Sequence, residues 1–400
     1  MATYFAGLRG TGNFGTDERP KSFREMILWM NPNGSAPLFA LTSKGKHQAV
    51  TDPEFNWWEE TNTIARLQVN GAIADGVTTT IVVDQDDARQ LIPGDLLLVE
   101  PATQVAGYTE EILRVVSVTN ATTIVVERGA AGSTAAAIAN DRWLHRIGNA
   151  QPEGTRSTTS SSTNPTKYNN YTQIFKTPYQ VSKTADNTTF RTGSARDNER
   201  KRKTFQHSEK IEQALMWGRA SEVTDSTSSQ PLRTTMGLRQ FITSNRTVFA
   251  VAPTEDTFLS AVYPVFDYES GEAGNERIVF AGNGALNSLN KLAKNATNSR
   301  INFKETVKFY GMELQKWILP QGTLYIKSHP LMNVHSIYKN SMFVVNPSGI
   351  IYRNLKNRDT TLQKDIQEND ADYIKDQWMT ECGFEFHYER TMAYLGNFVA

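Results

Sequence analysis

Apolar and polar positions alternate most regularly near the end of the chain, over residues 381–400. Cys382, Phe384, Phe386 and Tyr388 interleave with Glu381, Gly383, Glu385, His387 and Glu389. A period of two predicts a half-buried strand with one apolar and one charged face. Shorter β-type runs crowd the first half: residues 78–84, 95–100, 111–118 and 122–128, rich in Val, Ile, Leu and Thr. Turn-forming residues at 74–76, 93–95 and 119–121 separate them. Many short strands at close spacing predict a small barrel or sandwich over residues 66–150.

On either side of that module the chain reads as extended. Residues 36–42 and 47–60, parted by Lys44-Gly45-Lys46, and residues 171–185 predict a long hairpin over 36–65 and 167–190. The best helical segment is 196–220, with Phe205, Ile211, Ala214, Leu215 and Gly218 toward one face. A shorter helix is expected at 22–30, with Ser22 and Glu25 at capping-box spacing and Asn31-Pro32-Asn33-Gly34 as its stop. Further on, helices at 255–266 and 285–293 alternate with strands at 277–281, 306–318, 323–327 and 342–345. Residues 1–20 lack either period and predict an arm. Residues 154–166 and 221–230 read as polar linkers. The fold class is α+β.

Composition narrows the function. The 400 residues exceed one ordinary domain. The 42 Lys and Arg balance 42 Asp and Glu, so the basic excess of a free-standing nucleic-acid binder is missing. One cysteine, Cys382, excludes an intrachain disulfide and a cysteine-based zinc cluster. No apolar run is long enough for a membrane span or a signal peptide, so synthesis in the cytosol is expected. The 7 Trp, 14 Tyr and 19 Phe, against 39% hydrophobic residues, suggest aromatic surface buried between subunits.

Candidate chemistry is sparse. Gly10-Thr11-Gly12-Asn13-Phe14-Gly15 matches a dinucleotide fingerprint, but neither a strand nor a helix flanks it. Gly282-Asn283-Gly284 stands between a strand and a helix, yet Asn287 replaces the third glycine. A strand-to-helix turn uses Gly for its own backbone reasons. Glu385, His387 and Glu389 share one strand face and could hold a metal ion, or serve as an ion-pair strip. Glu59 and Glu60, after Trp57 and Trp58, point to opposite faces and cannot share a substrate. Arg200-Lys201-Arg202-Lys203 is the densest basic run and spreads around a helix. DNA phosphates are its functional alternative. His329 and His335 are too far apart for one helical turn and lack a nearby Cys. No Ser-His-Asp order, Walker loop or H-E-x-x-H helix occurs. No catalytic, cofactor-binding or metal-binding residue is therefore assigned, no cofactor is expected, and a structural role is favoured. Two other classes remain: a β-rich surface protein whose inserted module binds a receptor or glycan, and a nucleotide-using enzyme built on residues 282–284.

The string from Tyr388 through Arg390-Thr391-Met392-Ala393-Tyr394-Leu395-Gly396-Asn397-Phe398 resembles the closing strand of tailed-phage major capsid proteins with the Hong Kong 97 type fold. Other strings resemble that family in the same order. Pro37-Leu38-Phe39 with Trp57-Trp58-Glu59 is similar to the ascending strand of its extended loop. Tyr171-Thr172-Gln173-Ile174-Phe175 with Val181-Ser182-Lys183-Thr184 is similar to the descending one. The helix carrying Lys210-Ile211-Glu212-Gln213-Ala214-Leu215 takes the spine position, and Thr235-Met236-Gly237-Leu238 resembles the link into the axial domain. The string from Glu127-Arg128-Gly129 to Ser133-Thr134-Ala135 resembles one found in inserted β modules.

The resemblance implies an N-terminal arm and short helix (1–35), the extended loop, the inserted module, a linker (151–166) and a spine helix with peripheral domain (191–235). An axial domain with peripheral segments (236–375) and a returning peripheral strand (376–400) complete it. It implies a virion shell protein without enzymatic activity, forming pentamers and hexamers around double-stranded DNA held by non-specific contact. Implied partners are other copies of itself, a portal protein and a decoration protein, with no membrane. Assembly is expected in the host cytoplasm. A separate scaffolding protein is expected because no long charged N-terminal segment is present. Lys44 and Lys46 lie at the loop, but no matched partner accompanies them, so no covalent crosslink is expected.

Overall fold

The computed structural model describes residues 46–60, 66–103, 106–157, 162, 164–190, 192–268, 274–295, 306–309 and 312–399. The expected arm, the helix at 22–30, the strand at 36–42, Lys44 and the Gly10–Gly15 string lie outside these residues.

Along the chain, β1 (Lys46–Val50) and β2 (Glu54–Glu59) precede six strands. These are β3 (Arg66–Gln68), β4 (Thr80–Val82), β5 (Asp95–Val99), β6 (Ile112–Val118), β7 (Thr123–Ala130) and β8 (Trp143–Asn149). Then come β9 (Thr166–Tyr171), β10 (Gln173–Ser182), α1 (Lys183–Asn187), α2 (Ala195–Trp217), β11 (Ser221–Thr224), β12 (Pro231–Thr234), α3 (Leu238–Phe241) and β13 (Arg246–Val248). The last part holds α4 (Glu255–Val262), β14 (Glu276–Ala281), α5 (Asn283–Asn295), β15 (Thr306–Phe309), β16 (Met312–Ile318), β17 (Thr323–Ser328) and α6 (Pro330–Val334). It closes with β18 (Met342–Val345), β19 (Ile350–Leu355), β20 (Thr361–Gln363), β21 (Tyr373–Phe386) and β22 (Ala393–Gly396).

Two compact units result: residues 58–167, and the chain on either side of them. In the smaller unit the strand order is β3-β8-β5-β6-β7-β4. A Val69–Val83 bridge joins the two ends, with Asn70 N–H donating to Val82 O at 2.8 Å and Asp84 N–H to Gln68 O at 2.9 Å. The sheet is thus closed into a small barrel, which removes its free edges. Leu67, Ile81, Leu97, Leu113, Ile124 and Leu144 fill the interior from alternate positions of their strands.

The larger unit has two main sheets. One runs β1-β19-β21-β10, with β20 also on β21. The other runs β13-β22-β18-β14-β17-β16-β15. Its central strands β14, β18 and β22 are near-continuous apolar runs because both faces are buried. Ile278, Phe280 and Phe343 join Phe384, Phe386, Ile211 and Leu215 in one core. Val279, Ala281 and Val344 join Phe258, Val262 and Leu289 of α4 and α5 in the other.

Several expectations shift. The terminal strand is not half-buried: β21 is buried on both faces from Thr380 to Phe386, including Glu381 and Glu385. It stops at Phe386 because Tyr388 adopts a left-handed φ of 59°. The segment 306–318 folds back as the hairpin β15–β16. Residues 221–230 are not a linker but form β11 and the turn to β12. Extended chain after 171 ends at Ser182, whose side chain accepts from Ala185 N–H and opens α1. The helix expected over 196–220 is α2, capped by Ser194, but Phe205 points to solvent while His207 and Glu212 are buried.

Candidate functional site

The structure disperses the candidate catalytic groups and uses most of them to hold elements together. On the terminal strand, Glu385 Oε1 lies 2.7 Å from His387 Nε2, and Arg353 of β19 donates to Glu385 through Nε at 2.5 Å and pairs through its other terminal nitrogen. Burial pushes the Glu385 carboxyl up, but hydrogen bonds from His387 and Arg353 and the Arg353 charge hold it below its usual range. Glu389 is elsewhere: past the end of the strand it accepts Thr243 N–H at 2.5 Å and Ser244 N–H at 2.6 Å. The expected common face therefore breaks at Tyr388, and no group of metal-ligating side chains occurs among the described residues.

The glycine pair at 282–284 is equally accounted for. A Cβ on Gly282 would run into the backbone of Lys339, and one on Gly284 into the Asn340 side chain. The turn after β14 is glycine-rich because another chain segment sits against it. The first N–H of α5, on Asn283, already donates to Asn333 Oδ1 at 2.6 Å. That N–H, one of those a helix start would offer a phosphate, is therefore already engaged.

Trp57 is buried and stacks on Tyr168 with ring centroids 5.9 Å apart, whereas Trp58 is exposed, as alternation on β2 requires. β2 pairs with β9. In the basic run, Arg200 pairs with Asp197 at 3.0 Å and Arg202 with Glu199 at 2.6 Å, i,i+3 pairs on a solvated helix face. His335 is exposed, but His329 is buried, its Nε2 2.5 Å from Glu212 Oε1 of α2.

Further joints were not anticipated. Buried Asn170 satisfies its whole amide: it donates to Phe384 O at 2.7 Å and Thr235 Oγ1 at 3.1 Å, and accepts Met236 N–H at 2.7 Å and Tyr171 N–H at 2.8 Å. Arg196, at the start of α2, grips Asp376 of β21 with two bonds of 2.9 and 2.8 Å. Fully buried Arg277 donates to five backbone carbonyls, those of Val265, Tyr268, Gly274, Glu276 and Thr391. Burial lowers its pKa to about 10, so it stays charged at neutral pH. In the barrel, Arg128 makes a two-bond pair with Glu111 at 2.7 and 2.9 Å, and Glu111 also accepts Gly129 N–H and Ala136 N–H. The Arg-Gly string thus has a local cause: Arg128 anchors the turn, and Gly129 supplies a φ of 63° where a Cβ would press on Ser133 O.

What these joints build is a framework. The long helix α2 is fastened to β10, to β21 and, through Glu212, to His329 just before α6, and the terminal strands β21 and β22 lie inside the two main sheets. Polar groups satisfy one another inside the chain, and the class of protein is given by the family comparison: a structural protein of a phage capsid. The chain belongs to the SU10 major capsid protein family, which it matches over residues 8–398. That family is structural and not enzymatic, and its members are parts of the virion. A major capsid protein of Pseudomonas phage PaMx41 is 27% identical over 354 residues, covering 86% of this chain and 81% of the relative. Among solved structures, a chain from Microbacterium phage Oxtober96 aligns with a TM-score of 0.47 at 10% identity, covering 95% and 96% of the two chains. The capsid of a native GTA particle aligns at 0.48 and 8%, covering 98% of each.

Proposed function

We propose that this chain, with a Hong Kong 97 type fold, forms pentamers and hexamers that close into a phage head shell around double-stranded DNA. The observation that carries the reading is the family match across nearly the whole chain. The order of elements supports it: paired strands leading out to residues 58–167 and back, then a long helix laid on β10, then a mixed α+β block, then a strand returning to the first sheet. A portal protein, a separate scaffolding protein and a decoration protein are its proposed partners, and the host cytoplasm the place of assembly.

Charge supports an outward position for the barrel. Residues 58–167 carry 8 Lys and Arg against 13 Asp and Glu, a net of −5, while the remainder carries 34 against 29, a net of +5. Packed DNA repels the acidic unit and attracts the basic remainder.

Electron microscopy of the recombinant chain, with and without the scaffold co-expressed, tests the shell. Closed shells or capsomer sheets are expected; small discrete particles under both conditions would overturn the reading. Replacing residues 66–149 by a short linker tests the barrel. Shells that still close support the outward position, and their loss would make the barrel a brace between subunits.

A further inference from the structure

The long helix α2 divides by burial. Of its residues 195–210 only His207 is buried, whereas Ile211, Glu212, Ala214, Leu215 and Met216 are buried further on. The exposed part is fixed from beneath. Arg196 holds Asp376, His207 sits between Thr177 and Thr380, and Lys210 Nζ donates to Thr177 Oγ1 at 3.1 Å. The same part carries the charge of its unit. Residues 183–210 hold 8 Lys and Arg against 4 Asp and Glu, a net of +4, in a unit whose net is +5. Arg200 and Arg202 are paired with Asp197 and Glu199, but no carboxylate pairs with Lys201 or Lys203 among the described residues. Lys203 Nζ donates to the neutral Gln206 amide at 3.0 Å. The remaining carboxylate of 195–210, Glu209, is matched by Lys210, so Lys201 and Lys203 are surplus cations. Phe205, 45% exposed, is the one large apolar side chain of this stretch.

We propose that the outer face of α2 around Lys201, Arg202, Lys203 and Gln206 is a contact for the phosphates of double-stranded DNA. The proposal rests on the shell reading above for the presence of that DNA, and it assigns the side of the larger unit that the DNA meets. Charge without an apolar stripe selects the partner. A protein segment that docks on a helix needs apolar anchors one turn apart, and Phe205 stands alone. Phosphate needs cations and N–H donors with reach, which Lys, Arg and Gln supply without reading sequence. Lys201 and Lys203 stand on either side of Arg202, so two flexible ammonium groups flank one guanidinium. The joints beneath the helix hold this face in place before any contact forms. The opposite face of the sheet serves as the comparison. It carries Lys176 and Lys375, whose neighbours Thr177 and Asp376 point toward α2.

Two measurements test this. In the first, lysine acetylation is followed in DNA-filled particles and in the same particles emptied of DNA. Lys201 and Lys203 are expected to react several-fold more slowly when DNA is present, with Lys176 and Lys375 unchanged. Equal rates at Lys201 and Lys203, or equal slowing at all four, would overturn the proposal. Protection in scaffold-filled shells that lack DNA, absent from DNA-filled ones, would overturn it too and assign the face to an acidic scaffold. In the second, the unassembled full-length chain binds a short DNA duplex while salt is raised from about 50 to 200 mM. Lys201→Gln with Lys203→Gln should weaken binding and make the slope of log affinity against log salt shallower by about 2. Lys176→Gln with Lys375→Gln should leave the slope as it is. An unchanged slope in the first pair, or an equal change in the second, would overturn the proposal. The two levels separate: duplex binding through these lysines without any shell would sink the shell reading alone, whereas closed, filled shells with a flat acetylation pattern would sink this contact alone.

Discussion

Nε2 of His207, in the middle of α2, lies 2.7 Å from Thr380 Oγ1 on β21, and its Nδ1 lies 3.0 Å from Thr177 Oγ1 on β10. The ring joins the long helix to two strands of the first sheet without using a charge. Burial, with Lys210 nearby, lowers its pKa to about 4. A histidine whose folded pKa is depressed contributes stability that is complete above its unfolded pKa and is lost as pH falls toward the folded one. With an unfolded value near 6.5, the unassembled protein should lose about 2 kcal/mol between pH 7 and pH 5 from this residue. His207→Gln should remove that part of the slope. Urea titrations of both proteins at the two pH values measure it, and parallel slopes would show that His207 is not the source.

Arg277 is a buried cation held by five backbone carbonyls, with the Phe266 ring centroid 5.5 Å from its guanidinium carbon. Substitution by Met removes every donor and leaves five carbonyls bare, which should destabilise the chain by about 3 kcal/mol or more. Lys supplies three donors in place of a planar fork, so Arg277→Lys should fall between. The denaturation midpoint at unchanged slope reads the difference. Equal midpoints for Arg277→Met and the wild type would mean that water satisfies these carbonyls.

In the barrel the analogous joint is an ion pair. Glu111→Ala removes the carboxylate partner of Arg128, leaving it the carbonyls of Asp75, Thr78 and Ala136, and uncaps Gly129 N–H and Ala136 N–H. Breaking one side of a buried pair costs about 3–5 kcal/mol. Residues 58–167 have their own core, so the loss should be local. Hydrogen exchange should accelerate at Leu113 and Ile124 and stay slow at Phe343 and Val344. Burial pushes the Glu111 carboxyl up, while bonds from Arg128, Ala136 and Gly129 hold it below its usual value. The pair's contribution is therefore present at neutral pH and lost as acid protonates it. Uniform acceleration across both units would contradict a local joint.

Elements with a strong period were legible in the sequence. The helix α2, the apolar strands β14 and β18, and the strands from β5 to β7 all announce themselves by spacing and by flanking turns. Strand β19 and the first residues of β21 carry no apolar period of their own, and only the family resemblance places a strand from 376: Tyr373–Phe386 begins with polar residues such as Lys375, Asp376 and Gln377, and Arg196 and Gln363 meet Asp376 and Gln377. The hairpin β11–β12 was hidden by Ser and Thr, which serve turns and strands alike. The joints were least legible of all. Nothing local marks Asn170, His207 or Arg277, whose partners lie many residues away along the chain, except for Tyr171 N–H at Asn170 and the nearest carbonyls of Arg277. Long-range satisfaction of a polar group leaves no periodic trace.

The glycines at 282 and 284 permit a prediction that separates packing from ligand binding. Gly282→Ala places a methyl group against the Lys339 backbone, which is fixed by its own bond from Lys339 N–H to His335 O at 3.1 Å. Backbone cannot yield as a flexible side chain can, so the overpacking should cost about 1–3 kcal/mol. Gly284→Ala meets mainly the Asn340 side chain, which can rotate, and should cost less. A phosphate-binding turn would respond differently: millimolar ATP or GTP would raise the wild-type melting temperature by mass action, and both alanine variants would lose that rise. Asn283 N–H is engaged by Asn333 and Asn283 Oδ1 accepts from Ser328 Oγ at 2.5 Å, so this residue of the helix start already has partners. Thermal melts should therefore show Gly282→Ala below Gly284→Ala, both below wild type, and all three unmoved by nucleotide; a nucleotide-dependent rise in the wild type would restore the turn as a binding site.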